Sequence, residues 1–212
     1  MIKLKDILLE NSSPSIFTAR RTDDRLSRQA ANNLRKAVKL VDDYIAGGSK
    51  GDLSLSSLDL TELPHNLKNV KVGGYFDCHN NNLTSLQGVP SRVDGSFYCS
   101  NNKLTSLKGA PSSVGGSFYC NFNKLTSLQY APSSVGWDFY CSNNELISLQ
   151  GAPTHISGGF YCFNNELPSL QGAPISVGGD FHCSNNNLTS LQYAPSSVGG
   201  DFYCSNNNLT SL

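Results

Sequence analysis

Cysteine is the residue whose spacing in this chain most invites a chemical explanation. Seven cysteines occur, each 21 residues from the next: Cys78, Cys99, Cys120, Cys141, Cys162, Cys183 and Cys204. Thiols at such a spacing could pair as disulfides or bind a soft metal ion. An odd number on a fixed period is not a disulfide framework, and buried free cysteine usually behaves as a small apolar residue. We therefore expect buried free thiols and no metal site.

Groups that could catalyse a reaction are scattered along the chain. The four histidines fall in different columns of the repeat or in distant repeats: His65, His79, His155 and His182. They therefore assemble neither a catalytic triad nor a zinc site. The sequence also shows no nucleophile–base pair and no glycine–lysine phosphate loop. These patterns predict a protein that is not an enzyme and that uses no cofactor.

One repeated unit of 21 residues explains the spacing of the cysteines. Each unit places Phe two residues before Cys and Asn three residues after it, and two leucines, a proline and a Val or Ile follow. Phe and Cys, two residues apart, share one face of a strand and point into the coil. The Asn amide is expected to turn inward and satisfy backbone groups of the loop.

This period and residue order are typical of leucine-rich repeats, whose coils each have one short strand and a return segment. Single coils bury their apolar residues only by stacking, so we expect an α/β solenoid with a parallel β-sheet on its concave face. The return stretch Gly109–Val114 lacks a helical pattern, which predicts an extended, irregular convex side. Gly51–Pro64 is a degenerate first coil, with Leu53 and Leu55 in the places of Phe and Cys. The array is predicted to span 51–212 in about eight coils.

Residues 1–50 form an N-terminal segment of different composition. Apolar residues recur there in steps of three and four: Leu26, Ala30, Leu34, Val38, Val41 and Ile45. This spacing predicts an amphipathic helix over about 23–46, ended by Gly47 and Gly48. We expect the helix to cap the first coil, because solenoids need covered ends; docking through its basic residues is the alternative. A second, short helix is predicted over Ile2–Leu9.

The C-terminal end of the array is predicted to be open. The sequence stops at Leu212, in the middle of a coil. We expect the incomplete last coil to leave an edge strand and apolar core uncovered. The chain is then either a fragment, or something such as a second copy of it covers that end.

Charge and hydropathy limit the classes of partner. Lys and Arg number 16, as do Asp and Glu, with an excess of basic residues in 1–50 and of acidic residues in 51–212. Clustered basic residues are missing, so nucleic acid is not expected to bind. No apolar run reaches the length of a membrane-spanning helix, so membrane insertion is not expected either. Reduced thiols favour the cytoplasm, with a virion-associated or exported protein as the alternatives.

Residues 51–212 resemble a bacterial-type leucine-rich repeat protein. The run "LSLSSLDLTELP" (53–64) resembles the opening repeat of secreted bacterial effectors, and "LTSLxGAPxxVGGxFxCSxN" resembles arrays in bacteriophage and environmental bacterial proteins. The opening "MIKLKDILLE" is similar to the start of proteins from large tailed phages. The resemblance implies a scaffold for binding partners. Effectors of this class that are ubiquitin ligases have a catalytic domain after the repeats, so that activity is not expected here.

Outward-facing residues of the concave sheet flank Phe and Cys. Between them lie Asp77, Tyr98, Tyr119, Tyr140, Tyr161, His182 and Tyr203. Before each Phe lie Tyr75, Ser96, Ser117, Asp138, Gly159, Asp180 and Asp201. Phe122, Trp137 and Phe163 break the copied pattern with aromatic bulk.

Two interpretations of this aromatic stripe remain open. Stacked tyrosines on adjacent strands could serve only to stabilise the sheet. Alternatively they form a recognition surface, since Tyr and Trp are enriched at interface hot spots. We predict a partner site formed by Tyr98, Tyr119, Phe122, Trp137, Asp138, Tyr140, Tyr161, Phe163, Asp180, His182, Asp201 and Tyr203. The first hypothesis is a non-enzymatic protein-binding module; the alternatives are self-assembly through the C-terminal coil and carbohydrate binding.

Overall fold

The computed structural model describes residues 14–210, which form one helix followed by a solenoid of short strands. Helix α1 covers Pro14–Ala46. It begins at Pro14 rather than near residue 23, because proline is accepted in the first turn of a helix and no glycine or proline follows before residue 46. The helix predicted over Ile2–Leu9 lies outside the described residues.

Eight parallel strands form the concave sheet, and neighbouring coils pair in the same register throughout. Phe pairs with Phe and the residue after it with its counterpart, as in Phe97 with Phe118 and Tyr98 with Tyr119. The strands are β1 Leu53–Ser54, β2 Phe76–Asp77, β4 Phe97–Tyr98, β6 Phe118–Tyr119, β8 Phe139–Tyr140, β10 Phe160–Tyr161, β12 Phe181–His182 and β14 Phe202–Tyr203. The predicted solenoid with a parallel concave sheet is confirmed.

The return side is extended, and parts of it form a second layer of pairing. It contains two three-stranded parallel sheets, ordered β3-β5-β7 and β9-β11-β13. These strands are β3 Arg92–Val93, β5 Ser113–Val114, β7 Ser134–Val135, β9 His155–Ile156, β11 Ser176–Val177 and β13 Ser197–Val198. The first return differs, because it holds a single turn of 3-10 helix at His65–Leu67.

The core is a set of columns that run the length of the solenoid. Phe side chains of successive strands stack with ring centroids 5.2–5.8 Å apart. The cysteines, both leucine columns and the Val or Ile column lie beside them and are buried in most coils. Stacking coils therefore bury apolar surface that no single coil covers alone.

The inward Asn column is confirmed as the support of the loop backbone. In one coil junction, Asn102 Oδ1 accepts the backbone N–H of Leu83 at 2.9 Å. Its Nδ2 group donates to the carbonyl oxygens of Cys78 at 3.0 Å and Cys99 at 3.2 Å. The same bonds recur in the other coils, so each amide joins two coils and pairs groups that burial would otherwise leave unsatisfied.

The C-terminal part of α1 packs on the first coil. Ala37 and Val41 are fully buried, and the Asn66 Nδ2 group donates to the Val38 carbonyl at 3.0 Å. Leu26 and Ile45 are exposed, contrary to the predicted apolar face. Val41 belongs to the predicted apolar set and is buried, and Ala37, which lies outside that set, is buried as well. No helix in the described residues has both the length and the hydropathy of a membrane span.

The last described coil is less covered than the others. Phe202 is 37% exposed, whereas Phe181 in the preceding coil is fully buried. Strand β14 pairs with β12, and within residues 14–210 it has no partner on its other side. The final coil thus presents part of an aromatic core side chain to its surroundings.

Candidate partner-binding face

Four tyrosines form a continuous stack on the concave sheet, which we call the Tyr ladder: Tyr98, Tyr119, Tyr140 and Tyr161. Successive ring centroids lie 4.6, 4.6 and 4.5 Å apart, and the rings are within 13° of parallel. The arrangement follows from register, because identical residues on paired strands repeat at the strand spacing of about 4.8 Å. Each ring is half-buried, so the ladder stabilises the sheet and remains partly accessible on its surface.

The hydroxyls of Tyr119, Tyr140 and Tyr161 remain protonated at neutral pH. Burial raises the pKa of Tyr119, Tyr140 and Tyr161, and the Asp138 carboxylate raises the pKa of Tyr140 and Tyr161 further. The Tyr140 hydroxyl donates to Asp138 Oδ2 at 3.4 Å. Tyr161 lies across Gly159, where a Cβ atom would come within 2.6 Å of the ring. These three hydroxyls are thus uncharged, and the proton of the Tyr140 hydroxyl is directed at Asp138.

A second aromatic group continues the stripe beyond the ladder. The His182 ring lies 4.6 Å from that of Phe163 and 5.0 Å from that of Tyr203. Burial lowers the pKa of His182, which the nearby Asp180 partly opposes. Phe163 is half-buried against this histidine, so it is part of a packed cluster and is less available than the sequence pattern indicated.

The carboxylates of the predicted site also fasten coils together, a role that the sequence analysis missed. Asp138 Oδ1 accepts the backbone N–H of Gly159 at 2.7 Å, and Asp180 Oδ1 accepts that of Asp201 at 2.9 Å. Ser96 and Ser117 hydroxyls accept the equivalent N–H groups in their coils. The recurrence of Ser and Asp in this column is the signal for the role, since both side chains place an acceptor near the backbone. Asp in place of Ser at this position therefore adds negative charge and keeps the hydrogen bond between neighbouring coils.

Two exposed aromatic residues lie next to the ladder, one before a strand and one after a strand. Trp137 precedes β8 and is 65% exposed, and Phe122 follows β6 and is 51% exposed. Phe122 has a φ of 54°, which lies in the left-handed region. The six other repeats that have the Phe and Cys pair place Asn there with a similar φ: Asn80, Asn101, Asn143, Asn164, Asn185 and Asn206. The degenerate first coil has Ser57, with a φ of 54°. Phe122 therefore replaces a residue that tolerates this conformation with one that rarely adopts it.

Tyr130 and Tyr193 are exposed aromatic residues that the sequence analysis did not single out. They are 62% and 57% exposed, with φ values of 69° and 67°. Four other coils place glycine there, also with positive φ: Gly88, Gly109, Gly151 and Gly172. The signal in the sequence is "QYAP" in place of "QGAP". Both lie on the return side, away from the ladder.

The cysteines contribute no reactive group to this face. All seven are free; six are buried, as predicted, and Cys204 is half-buried. Burial raises the pKa of the Cys99 and Cys162 thiols well above the usual range, so these side chains stay in the thiol form. Within the part of the chain that the structure describes, no group of three or more His, Cys, Asp or Glu side chains could hold a metal ion.

These features define a solenoid with the leucine-rich repeat fold. A leucine-rich repeat domain of a Shigella effector superimposes with a TM-score of 0.65 at 23% sequence identity, and the alignment covers 84% of this chain and 78% of that one. Comparison with protein-family models and with curated proteins found no match. The likeness concerns the fold, and the side chains of the concave face must support any statement about function.

Proposed function

We propose that this chain is a non-enzymatic protein-interaction module that binds a partner protein across its concave face. The observation that carries the proposal is Phe122, a half-exposed aromatic ring on left-handed backbone that Asn occupies in the six other repeats with a Phe and Cys pair. Such a conformation costs on the order of 1 kcal/mol for a bulky residue, and an exposed ring recovers little of it by packing. Exposed aromatic residues of this kind are enriched among interface hot spots.

Trp137 supports the same conclusion at the other end of the strands. It also stands where the neighbouring repeats have glycine, and a Cβ atom on the equivalent Gly158 would collide with the Asp138 carboxylate. Between Trp137 and Phe122 the stacked rings are already ordered, so binding would immobilise few additional side chains. The two exposed rings and the ladder together form a rigid, largely aromatic surface.

The charge of this half of the array favours a basic partner. Residues 125–212 contain five carboxylates and neither lysine nor arginine: Asp138, Glu145, Glu166, Asp180 and Asp201. Asp138 and Asp180 lie near Tyr161 of the ladder, and both carboxylates raise its pKa. Complementary charge mainly sets association rate and selectivity, so we expect binding to weaken as salt concentration rises.

A pair of substitutions that restore the repeat tests the proposal. Phe122→Asn and Trp137→Gly each replace an unusual residue with the one found in other coils, so both variants are expected to fold. Tyr130→Gly does the same on the return side and is the matched control. We expect a protein captured from bacterial lysate by the native chain to be retained by Tyr130→Gly and lost by the double variant. Retention by all three proteins would place binding elsewhere.

Self-association through the last coil is the second candidate. Its support is the 37% exposure of Phe202 in a column that is otherwise buried. Sedimentation velocity of the native chain and of Phe202→Ser would test it, with a concentration-dependent dimer expected only for the native chain. The cytoplasm is the setting we propose, because the buried thiols are free; a virion or an exported effector of bacteriophage or bacterial origin is the alternative.

A further inference from the structure

The stretch Tyr75–His79 departs from the repeat at three of its five positions. Tyr75 stands where the following coils have Ser, Asp or Gly; Asp77 stands where they have Tyr or His; and His79 stands where they have Ser, Asn or Phe. The two core residues between them, Phe76 and Cys78, are unchanged. All three departures point outward on the concave side, so the core is preserved while the surface differs.

These substitutions end the Tyr ladder and open a notch beside it. Asp77 pairs with Tyr98 in the sheet, and its side chain has no ring that could stack on the Tyr98 ring. A cavity of about 360 Å³ lies there, lined by Tyr75, Asp77, His79, Tyr98 and Ser100. The Tyr75 and Tyr98 rings meet nearly at right angles, at 88°, with centroids 5.8 Å apart. Two aromatic walls therefore flank a carboxylate on the side of Tyr98 away from the rest of the ladder.

The carboxylate in the notch is held in a fixed orientation. Asp77 Oδ1 lies 2.6 Å from His79 Nδ1 and accepts the His79 backbone N–H at 2.9 Å. The other oxygen, Oδ2, has one distant donor, the Ser54 hydroxyl at 3.5 Å. Neither lysine nor arginine is among the residues that line the cavity. Asp77 Oδ2 thus keeps acceptor capacity for a ligand in the notch.

We infer that this notch binds a cation, and specifically the guanidinium group of an arginine side chain from a bound protein or peptide. Aromatic faces attract cations, and a nearby carboxylate adds a charged acceptor. A guanidinium is planar, so it can stack on Tyr98 where the next ring of the ladder is missing and donate to Asp77. A lysine ammonium matches the charge but cannot stack.

The notch shares Tyr98 with the proposed partner surface, but the inference does not depend on Phe122 or Trp137, which support that surface. The notch lies in the second and third coils, whereas Trp137 and Phe122 lie in the middle of the array. Its test uses single side-chain analogues, which do not reach the ladder's far end. The notch can therefore bind its ligand even if the lysate experiment fails, and the reverse also holds.

The test is an NMR titration of the full chain with N-acetyl-arginine amide, observed through the aromatic signals of Tyr75, Tyr98 and His79. The neutral citrulline analogue has nearly the same shape and is the matched ligand control, and the lysine analogue tests for planarity. Asp77→Tyr is the first variant, because it restores the repeat and fills the notch with a ring. Asp77→Asn keeps the size of the side chain and removes its charge. Glu62→Gln removes an exposed carboxylate of the first coil that does not line the notch.

We expect saturable shifts with the arginine analogue in the millimolar range, at least about fivefold tighter than with citrulline. Asp77→Tyr should abolish them, Asp77→Asn should weaken them, and Glu62→Gln should leave them unchanged. Equal affinity for arginine and citrulline, undiminished binding by Asp77→Tyr, or tighter binding of the lysine analogue would each overturn the assignment. Unchanged core methyl signals would show that both Asp77 variants retain the fold.

Discussion

Asp138 Oδ1 accepts a hydrogen bond of 2.7 Å from the backbone N–H of Gly159, which lies one coil further along the solenoid. The other carboxylate oxygen accepts the Tyr140 hydroxyl at 3.4 Å. One side chain thus joins two coils and anchors a ring of the Tyr ladder. Asp138 therefore contributes negative charge to the proposed face and also stabilises the coils beneath it. Replacing Asp138 changes the charge and the stability at once.

Asp138→Ala is expected to lower the free energy of unfolding by about 1–2 kcal/mol, because the Gly159 N–H loses a charged acceptor. Asp138→Ser should lose less, since Ser96 and Ser117 supply the same acceptor in other coils. Urea denaturation of the two variants and the native chain measures the difference. Equal losses for Ala and Ser would show that this hydrogen bond does not stabilise the coil junction.

Phe122→Asn is expected to raise the free energy of unfolding by about 1 kcal/mol, because Asn tolerates the left-handed backbone at this position. The reverse change at the equivalent position of the preceding coil, Asn101→Phe, should lower it by a similar amount. Thermal denaturation monitored by circular dichroism gives both values. A less stable Phe122→Asn protein would mean that the ring contributes more by packing than its backbone costs.

Columns that recur in every coil could be predicted from the sequence. Phe, Cys, Asn and Leu each repeat at the same spacing, so their burial in one coil implies their burial in the next. The single positions were harder to predict. The hydrogen bond from the Gly159 N–H to Asp138 depends on the distance between coils. The backbone conformation at Phe122 is that of a turn in which other repeats have Asn.

The N-terminal helix shows a different limit of sequence analysis. Its apolar periodicity predicted a helix, yet Leu26 is exposed while Ala37 is buried. Periodicity identifies an amphipathic helix, but the surface it packs on decides which part of the face is covered. The notch at Asp77 could not be predicted for a related reason. The sequence shows an aspartate in a tyrosine column, but the cavity beside it depends on which residues are its neighbours in space.

The folded chain is expected to lose stability at alkaline pH through its ladder. Burial raises the pKa of Tyr119, Tyr140 and Tyr161 above the ordinary tyrosine value of about 10. The unfolded chain therefore releases these protons first, so this contribution to stability is complete below about pH 10 and falls as the pH rises further. Urea midpoints between about pH 8 and pH 11 should show the decline. Tyr140→Phe should make it shallower, and parallel profiles for the two proteins would contradict this origin.

Asn165→Ala is expected to be among the most destabilising single substitutions in the array. The buried amide accepts the Leu146 N–H at 3.0 Å and donates to the carbonyls of Cys141 at 3.2 Å and Cys162 at 3.0 Å. Removing it leaves buried groups of two coils unpaired, which costs about 3 kcal/mol or more. The exposed Asn187 is the control, and Asn187→Ala should change stability by less than about 0.5 kcal/mol.

Asn165 joins two coils in the middle of the array, so the number and sharpness of the unfolding transitions of Asn165→Ala test whether it couples them. Coils of a solenoid contact only their neighbours, so a weakened junction can separate the array into two cooperative units. We expect a single urea transition for the native chain and for Asn187→Ala, and a broadened or two-step transition for Asn165→Ala. Hydrogen exchange should then be fastest in the coils after the junction, because the N-terminal side keeps the packing of α1 on the first coil. A single, equally sharp transition with a loss under about 1 kcal/mol would show that the Asn column is not what couples the coils.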